Sequence, residues 1–420
     1  MFRYILLVIP TLVVMPAWTE PLSFEAALRI AAQNSPDIAV QSANVEAAKS
    51  AATASGRLPD PKLAFGIENL PVAGPDQWSL TRDFMTMRKI GLMQEIPNGA
   101  KRAAQSAAAA AAVSKALADR QVSILKARRE TAVAWLRRYY LDRRGALLDE
   151  LERENQLFSN AVQAQLAAGR GTAAEAVEPQ EEAADIADRR DELTAQLAKS
   201  KAVLERWVGT AAEEPLAGEP PPLTLDAEGL REHVHEHPEL AAYIPMTQMA
   251  QAAVHAAEAG KRPDWGVELA YARRGPAYGD MVSLQFTLDL PLFTKNRQDP
   301  QIHARREELS RVESERDAMF RDHTQELAGD LAEYDVVSRQ LARLRDTRLT
   351  LAHQKADYAF AGYRGGKGDL TSVLAARREL IDVRLKQIDL EAKKAFAAAK
   401  LYYFYGPGAT QIASEPQGAP

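Results

Sequence analysis

Apolar side chains at Leu136, Tyr140, Leu147, Leu151, Phe158, Val162 and Leu166 recur in steps of four and seven. That spacing puts them on one face of an α-helix. The stretch that carries them runs from Pro97 to Gly171 with no proline between. At 1.5 Å per residue such a helix reaches roughly 100 Å, far beyond the three or four turns usual in globular domains. A rod of this length has to lie along other rods, in a coiled coil or a barrel of helices. The pattern then occurs again. Beyond Asp289-Leu290-Pro291 a second helical run begins near Pro300, with Leu327, Leu331, Tyr334, Val337, Leu341, Leu344, Leu351 and Tyr358 marking its apolar face. It ends at Gly365-Gly366-Lys367-Gly368, as the first ends at Gly169-Arg170-Gly171. Landmarks repeating about 200 residues apart make the chain an internal duplication.

Before each rod the period changes from 3.6 to 2. Ser23 to Ser55 reads as helix broken at Asn34-Ser35-Pro36, and Leu58-Pro59-Asp60-Pro61 ends it. Leu63, Phe65 and Ile67 then alternate with Ala64, Gly66 and Glu68, and a second strand covers about Lys89 to Ile96. In the second half, Leu225 to Gly260 is helical and interrupted at His237-Pro238-Glu239-Leu240, which mirrors Ser35-Pro36-Asp37-Ile38. Val267, Leu269 and Tyr271 alternate with Glu268 and Ala270. Val282, Leu284, Phe286, Leu288 and Leu290 then oppose Ser283, Gln285, Thr287 and Asp289. One apolar and one polar face over roughly ten residues suits a tilted strand with lipid on one side and water on the other. For one strand alone, a hairpin packed on a soluble core is the simpler reading. Four strands flanked by long helices leave little globular mass to pack on, and favour the barrel. Val282, Leu284, Phe286 and Leu288 are the lipid-facing candidates. Four strands cannot close a barrel, since the smallest have about eight, and open edges are not tolerated in lipid. The protein is therefore expected to be an obligate oligomer, with two copies supplying eight strands or three supplying twelve.

Composition narrows the class. The chain has 420 residues, a net charge of −5 and no cysteine. No basic field points to nucleic acid, and disulfides, thiolate metal sites and a cysteine nucleophile are excluded. Met1-Phe2-Arg3, the apolar run Tyr4 to Val14 and the small Ala17 predict a signal peptide over 1–18. No other stretch suits a transmembrane helix. The expected organisation is a first repeat over 19–208, a linker over 209–224, a second repeat over 225–405 and a flexible tail over 406–420. Glu213-Glu214-Pro215 and Pro220-Pro221-Pro222 make the linker too proline-rich for helix.

Taken in order, signal peptide, helix with Asn34-Ser35-Pro36-Asp37, two strands, long helix, glycine turn and returning helix, then the same again, the chain resembles the TolC family of outer-membrane efflux proteins. The most specific segments are Ala168-Gly169-Arg170-Gly171-Thr172 with Val177, and Gly365-Gly366-Lys367-Gly368-Asp369 with Val373-Leu374-Ala375-Ala376-Arg377. The resemblance implies a mainly α chain with a membrane β part. Three chains would give four strands each to a β-barrel in the outer membrane of a Gram-negative bacterium, continued by an α-barrel tunnel in the periplasm. The implied role is a passive duct in a tripartite efflux system. Its partners would be the other chains of a homotrimer, outer-membrane lipid, a periplasmic membrane-fusion adaptor and an inner-membrane pump of the RND type. Without a lipid-accepting cysteine, and with its Asn-Ser-Pro pattern, the chain is similar to the heavy-metal cation (CzcC-like) branch, so metal cations are the expected cargo. Drugs, other small molecules or a type I secretion substrate are the alternatives. A reading of another class, a periplasmic coiled-coil scaffold or adaptor without a pore, needs the helices but not four amphipathic strands.

Candidate sites follow from the turns. Gly169 and Gly366 are placed to end helices in the left-handed conformation. Thr172 with Glu175 has capping-box spacing, and Asp369 can cap the other returning helix. These roles explain the residues as a helix hairpin. The resemblance adds that Gly169, Arg170, Gly171, Thr172, Gly366, Lys367, Gly368 and Asp369 form a periplasmic tip that meets the adaptor, with Tyr363, Arg364 and Asp369 as its gate. Ser372 and Ala375 stand where the family often carries aspartates, which argues against a carboxylate cation filter there. His233 and His237 have the i, i+4 spacing of two zinc or copper ligands. However, Pro238 disfavours helix at His237, and the first half has no matching histidine. His233, His235 and His237 are accordingly expected to be a solvated surface cluster and not a metal site. Arg128-Arg129-Glu130, Glu181-Glu182 and Arg189-Arg190-Asp191-Glu192 read as solvated helix faces. No catalytic triad, phosphate loop or zinc-protease motif appears, so no enzyme activity and no cofactor are expected.

Overall fold

A computed structural model describes residues 21–169 and 172–406. The signal-peptide segment, Arg170, Gly171 and tail residues 407–420 lie outside the described residues. In chain order the elements are β1 (Leu22–Ser23), α1 (Phe24–Asn34), α2 (Pro36–Ala54), β2 (Lys62–Glu68), β3 (Met87–Ile96), α3 (Gly99–Ala167) and α4 (Ala173–Val208). Then come β4 (Leu216–Ala217), α5 (Ala227–Glu232), α6 (Pro238–Ala241), α7 (Tyr243–Ala259), β5 (Trp265–Arg273) and β6 (Met281–Leu288). The chain continues through α8 (Gln298–Arg343), a π turn (Leu344–Arg348), α9 (Leu349–Arg364) and α10 (Leu370–Phe404). The architecture is mainly helical, and no helix among the described residues is long and apolar enough to cross a membrane.

By contact the chain divides into two units. One takes residues up to Ser35, Ala127–Thr224 and Glu333–Lys400; the other takes Pro36–Lys126, Leu225–Ala332 and the segment from Leu401. The first unit is a pack of antiparallel helices. Leu147, Leu148 and Leu151 of α3 meet Ile186 and Leu193 of α4 and Ile381, Leu385 and Ile388 of α10. Trp135, wholly buried, presents its ring edge-on to Phe24 at 5.3 Å and donates its Nε1–H to the Leu22 carbonyl at 3.0 Å. The proline-rich linker is held to this unit. Its β4 pairs in parallel with β1, and Arg138 donates to the Ala212 carbonyl. Proline content had hidden that short pairing.

Two departures from the expected apolar faces have clear causes. Leu341 and Leu344 are buried, but Leu351 and Tyr358 are exposed, and Ala352 is buried instead. The π turn inserts an extra residue per turn, so the buried stripe steps eight residues from Leu344 to Ala352 where seven were expected. Glu182 is buried, not solvated. It lies on the α4 stripe Pro179, Glu182, Ile186 and Leu193. Burial pushes its carboxyl pKa up, against the opposing pull of Arg377 and Arg378. Two apolar positions also fall outside the expected pattern at element ends: Leu166 is exposed in the last turn of α3, and Leu290 lies beyond β6.

The second unit is built on a four-stranded antiparallel sheet in the order β2-β3-β5-β6. Its base is fixed by Asp264, just before β5. Asp264 Oδ1 accepts from the Asn98 backbone N–H at 2.7 Å, and Oδ2 meets Lys101 Nζ at 2.9 Å. The Asn98 side chain in turn accepts the Lys101 N–H at 2.9 Å and so caps α3. A sheet strand and the start of the long helix thus share one polar anchor.

Candidate functional site

Two features fall where function was expected, the sheet in one unit and the paired helix turns in the other. In the sheet, register decides which side chains share a face. Leu63, Leu92, Leu269 and Leu284 stand in one row across the four strands, and Phe65, Ile90, Tyr271 and Val282 in the next. Val267 faces Phe286, and Ile96, Trp265 and Leu288 form the row nearest the helices. Because the side-chain period of a strand is two, the intervening rows belong to the opposite face. There Ala64, Gly91, Ala270 and Ser283 align, followed by Lys62, Met93, Glu268 and Gln285. Lys89 on that face meets Glu68 and Glu268, each at 3.1 Å. Gly91 makes room for this, since a Cβ there would come within 2.9 Å of Glu268 Oε1.

The apolar face is bare. Phe65 is 84 % exposed and Phe286 67 %, and Val282, Leu284 and Leu288 are also exposed. β2 and β6 are the outer strands, and neither pairs with a further strand among the described residues. The central strands β3 and β5 have 10 and 9 residues, the length a tilted strand needs to cross a bilayer.

In the other unit the two turns come together. Gly169 (φ 70°) and Gly366 (φ 69°) adopt the left-handed conformation. Thr172 and Glu175 form a reciprocal capping box at the start of α4, and Asp369 Oδ1 accepts the Ser372 N–H at 2.6 Å. Those hydrogen bonds from Ser372 hold the exposed Asp369 carboxyl below its ordinary pKa. The second turn is closed by the Gly362 carbonyl, which accepts from the backbone N–H groups of Lys367 (3.0 Å) and Gly368 (3.1 Å). Val162 from α3 packs with Leu370, Val373 and Leu374 from α10, flanked by Phe158, Ala176, Ala359 and Tyr363. The Tyr363 hydroxyl donates to Oε1 of Gln165. Arg364 lies over the Phe360 ring at 5.9 Å. Of the expected tip residues, Gly169, Thr172, Gly366, Lys367, Gly368 and Asp369 are exposed at these turns. Arg170 and Gly171 lie outside the described residues.

Sequence reasoning missed Gln165, the partner of Tyr363, because nothing local links two positions so far apart. It also missed an ionic clamp in the same unit. Glu391, 7 % exposed, accepts from Arg143 at 2.5 Å and from Arg345 of the π turn at 2.6 Å. The histidine expectation is half corrected. His233 and His235 are exposed, but His237 is buried. The proline that breaks the helix turns His237 inward, where its Nδ1 accepts the Glu239 N–H at 3.2 Å and caps α6.

Comparison with known proteins bears on both features. Residues 230–406 match the family model described as outer membrane efflux protein. Among curated proteins there is no match. Several solved structures share the fold. A membrane protein from Pseudomonas aeruginosa aligns at 16 % identity over 91 % of this chain and 90 % of its own, with a TM-score of 0.78. The outer membrane protein VceC from Vibrio cholerae aligns at 18 % identity over 91 % and 96 %, with a TM-score of 0.75. The open state of the MtrE outer membrane channel of Neisseria gonorrhoeae aligns at 15 % over 92 % and 89 %, with a TM-score of 0.73. The second half of the chain therefore matches the outer membrane efflux protein family, and the chain as a whole has the fold of these membrane proteins.

Proposed function

We propose that the protein is an outer-membrane efflux channel, a passive duct that carries solute from the periplasmic side to the outside. The observation that carries this reading is a four-stranded sheet with one apolar face, one polar face and two outer strands that pair with no further strand among the described residues. Such a sheet is unstable in water and intolerable in lipid until its edges are closed. Three chains close a twelve-stranded barrel, with the Lys89 face toward water and the Phe286 face toward lipid. The duct keeps a polar solute hydrated across a layer that would otherwise demand its desolvation. It needs no catalytic group. Energy comes from an inner-membrane pump, and an adaptor docks on the exposed turn residues Gly169, Thr172, Gly366, Lys367, Gly368 and Asp369. Tyr363, Arg364 and Asp369 hold the tip. Heavy-metal cations are the proposed cargo, on the resemblance to that branch of the family. A poreless periplasmic scaffold would have no use for the apolar sheet face.

The test is the mass of the intact protein extracted in detergent from isolated outer membranes. A heat-labile trimer is expected there; a soluble periplasmic monomer or dimer overturns the proposal. Increased metal sensitivity of a deletion strain, relative to its drug sensitivity, checks the cargo.

A further inference from the structure

His237, Glu239 and His323 converge within the sheet-bearing unit. Their ligand atoms all lie within 4.8 Å of one another. Both imidazoles are buried, at 4 % and 3 % exposure, with ring centroids 4.3 Å apart. His323 Nε2 stands 3.1 Å from Glu239 Oε2. On its other side, His323 Nδ1 is 3.4 Å from the Tyr405 hydroxyl, which is 3.5 Å from Glu326 Oε2. If the Nδ1–H donates to Tyr405, and Tyr405 to Glu326, the lone pair of Nε2 faces the Glu239 carboxylate. Metal-ligating histidines are oriented in this way by an outer partner on the second nitrogen. In the other tautomer, with the Tyr405 hydroxyl donating to Nδ1, an Nε2–H would meet the carboxylate; in the first, a divalent ion serves by taking both groups and His237 as ligands.

We propose that His237, Glu239 and His323 bind one divalent cation of the Zn²⁺ class, with water completing a tetrahedral shell. Two imidazoles and one carboxylate are the borderline donor set that zinc favours. Donors each about 2.1 Å from one ion in a tetrahedral shell stand about 3.4 Å apart, so closure from within 4.8 Å takes side-chain movements that shorten a donor pair by at most about 1.4 Å. The ion takes the place of the 3.1 Å contact between His323 Nε2 and Glu239 Oε2, and His237 Nδ1 already accepts the Glu239 N–H at 3.2 Å as the cap of α6. The cap itself does not call for imidazole, because Ser35 holds the corresponding place before Pro36 in the first repeat. Bound metal staples α6 to α8 beside the end of α10, where Phe404 and Tyr405 pack on the two histidines. This inference goes beyond the duct reading and does not depend on it.

The experiment is equilibrium dialysis of the detergent-purified full-length protein, stripped with chelator, against ZnCl₂ alone, with metal counted per chain. One Zn²⁺ per chain is expected, and Co²⁺ in its place should give the intense visible bands of a tetrahedral site. His237→Ser, which retains a short polar cap, and His323→Gln should each weaken binding by more than the roughly tenfold expected for the outer-partner change Tyr405→Phe. The double variant His233→Ala/His235→Ala should bind as the parent does. Zn²⁺ should raise the melting temperature of the parent but not of His237→Ser. Far-UV circular dichroism identifies any variant that has lost its fold. No saturable binding to the parent, or equal binding by a folded His237→Ser, overturns the proposal, as does loss of binding in the His233/His235 variant.

Discussion

The hydroxyl of Tyr363, at the end of the helix leading into the second turn, donates to Oε1 of Gln165, at the end of the helix leading into the first. The two hairpins of the duplicated chain are thereby tied side chain to side chain beside their turns. The bond is worth about 1 kcal/mol net, small for a fold.

Tyr363→Phe keeps the ring in its apolar contact with Val162 and Leu370 and removes only this bond. The expected result is a trimer that assembles normally and shows larger or more frequent conductance in planar bilayers. Conductance equal to that of the parent would make the bond a brace and not a gate.

Phe286 faces Val267 across the β5–β6 pair, on the bare face of the sheet. Phe286→Asp puts a carboxylate there in every copy, at a cost on the order of 2 kcal/mol each in lipid. The heat-labile trimer recovered from outer membranes should fall sharply. Normal assembly would mean that this face does not meet lipid.

Glu391 ties acid stability to the helical unit. Burial raises its pKa, but hydrogen bonds from Arg345, Gln387 and Arg143 outweigh burial and leave it below the ordinary glutamate value. A depressed folded pKa contributes stability that is present above the unfolded value, about 4.3, and is lost as pH falls through the folded one. The melting temperature of the parent should exceed that of Glu391→Gln at neutral pH. The two should begin to converge as pH falls past about 4.3 and meet below the depressed folded value. A difference independent of pH would assign the effect to packing.

Gly366 offers a test of backbone alone. Its φ is +69°, and a Cβ built there meets nothing within 4 Å. Gly366→Ala should therefore destabilise by roughly 1–2 kcal/mol, and Gly366→Asn by less, since asparagine tolerates the left-handed conformation. Thermal denaturation of the two variants checks the order; equal losses would point to a contact in place of a strained backbone.

What the sequence determined by itself is whatever depends on local repetition. Steps of four and seven specified the long helices, alternation specified three of the four strands, and glycine with Thr172, Glu175 and Asp369 specified how the hairpins turn. These signals are legible because helix and strand periods are properties of the backbone, and caps involve residues only a few positions apart. Tertiary structure decided what depends on register and distance. A single π turn moved the buried stripe from Leu351 to Ala352, and no count of hydrophobic residues reveals an extra residue in one turn. Pairing of β3 with β5 joined the two repeats into one sheet and lined four leucines across it. Glu391 found Arg143 at a separation of 248 positions, and His237 turned away from His233 to meet His323. Partners chosen across the fold leave no period in the chain, because only packing brings them within reach.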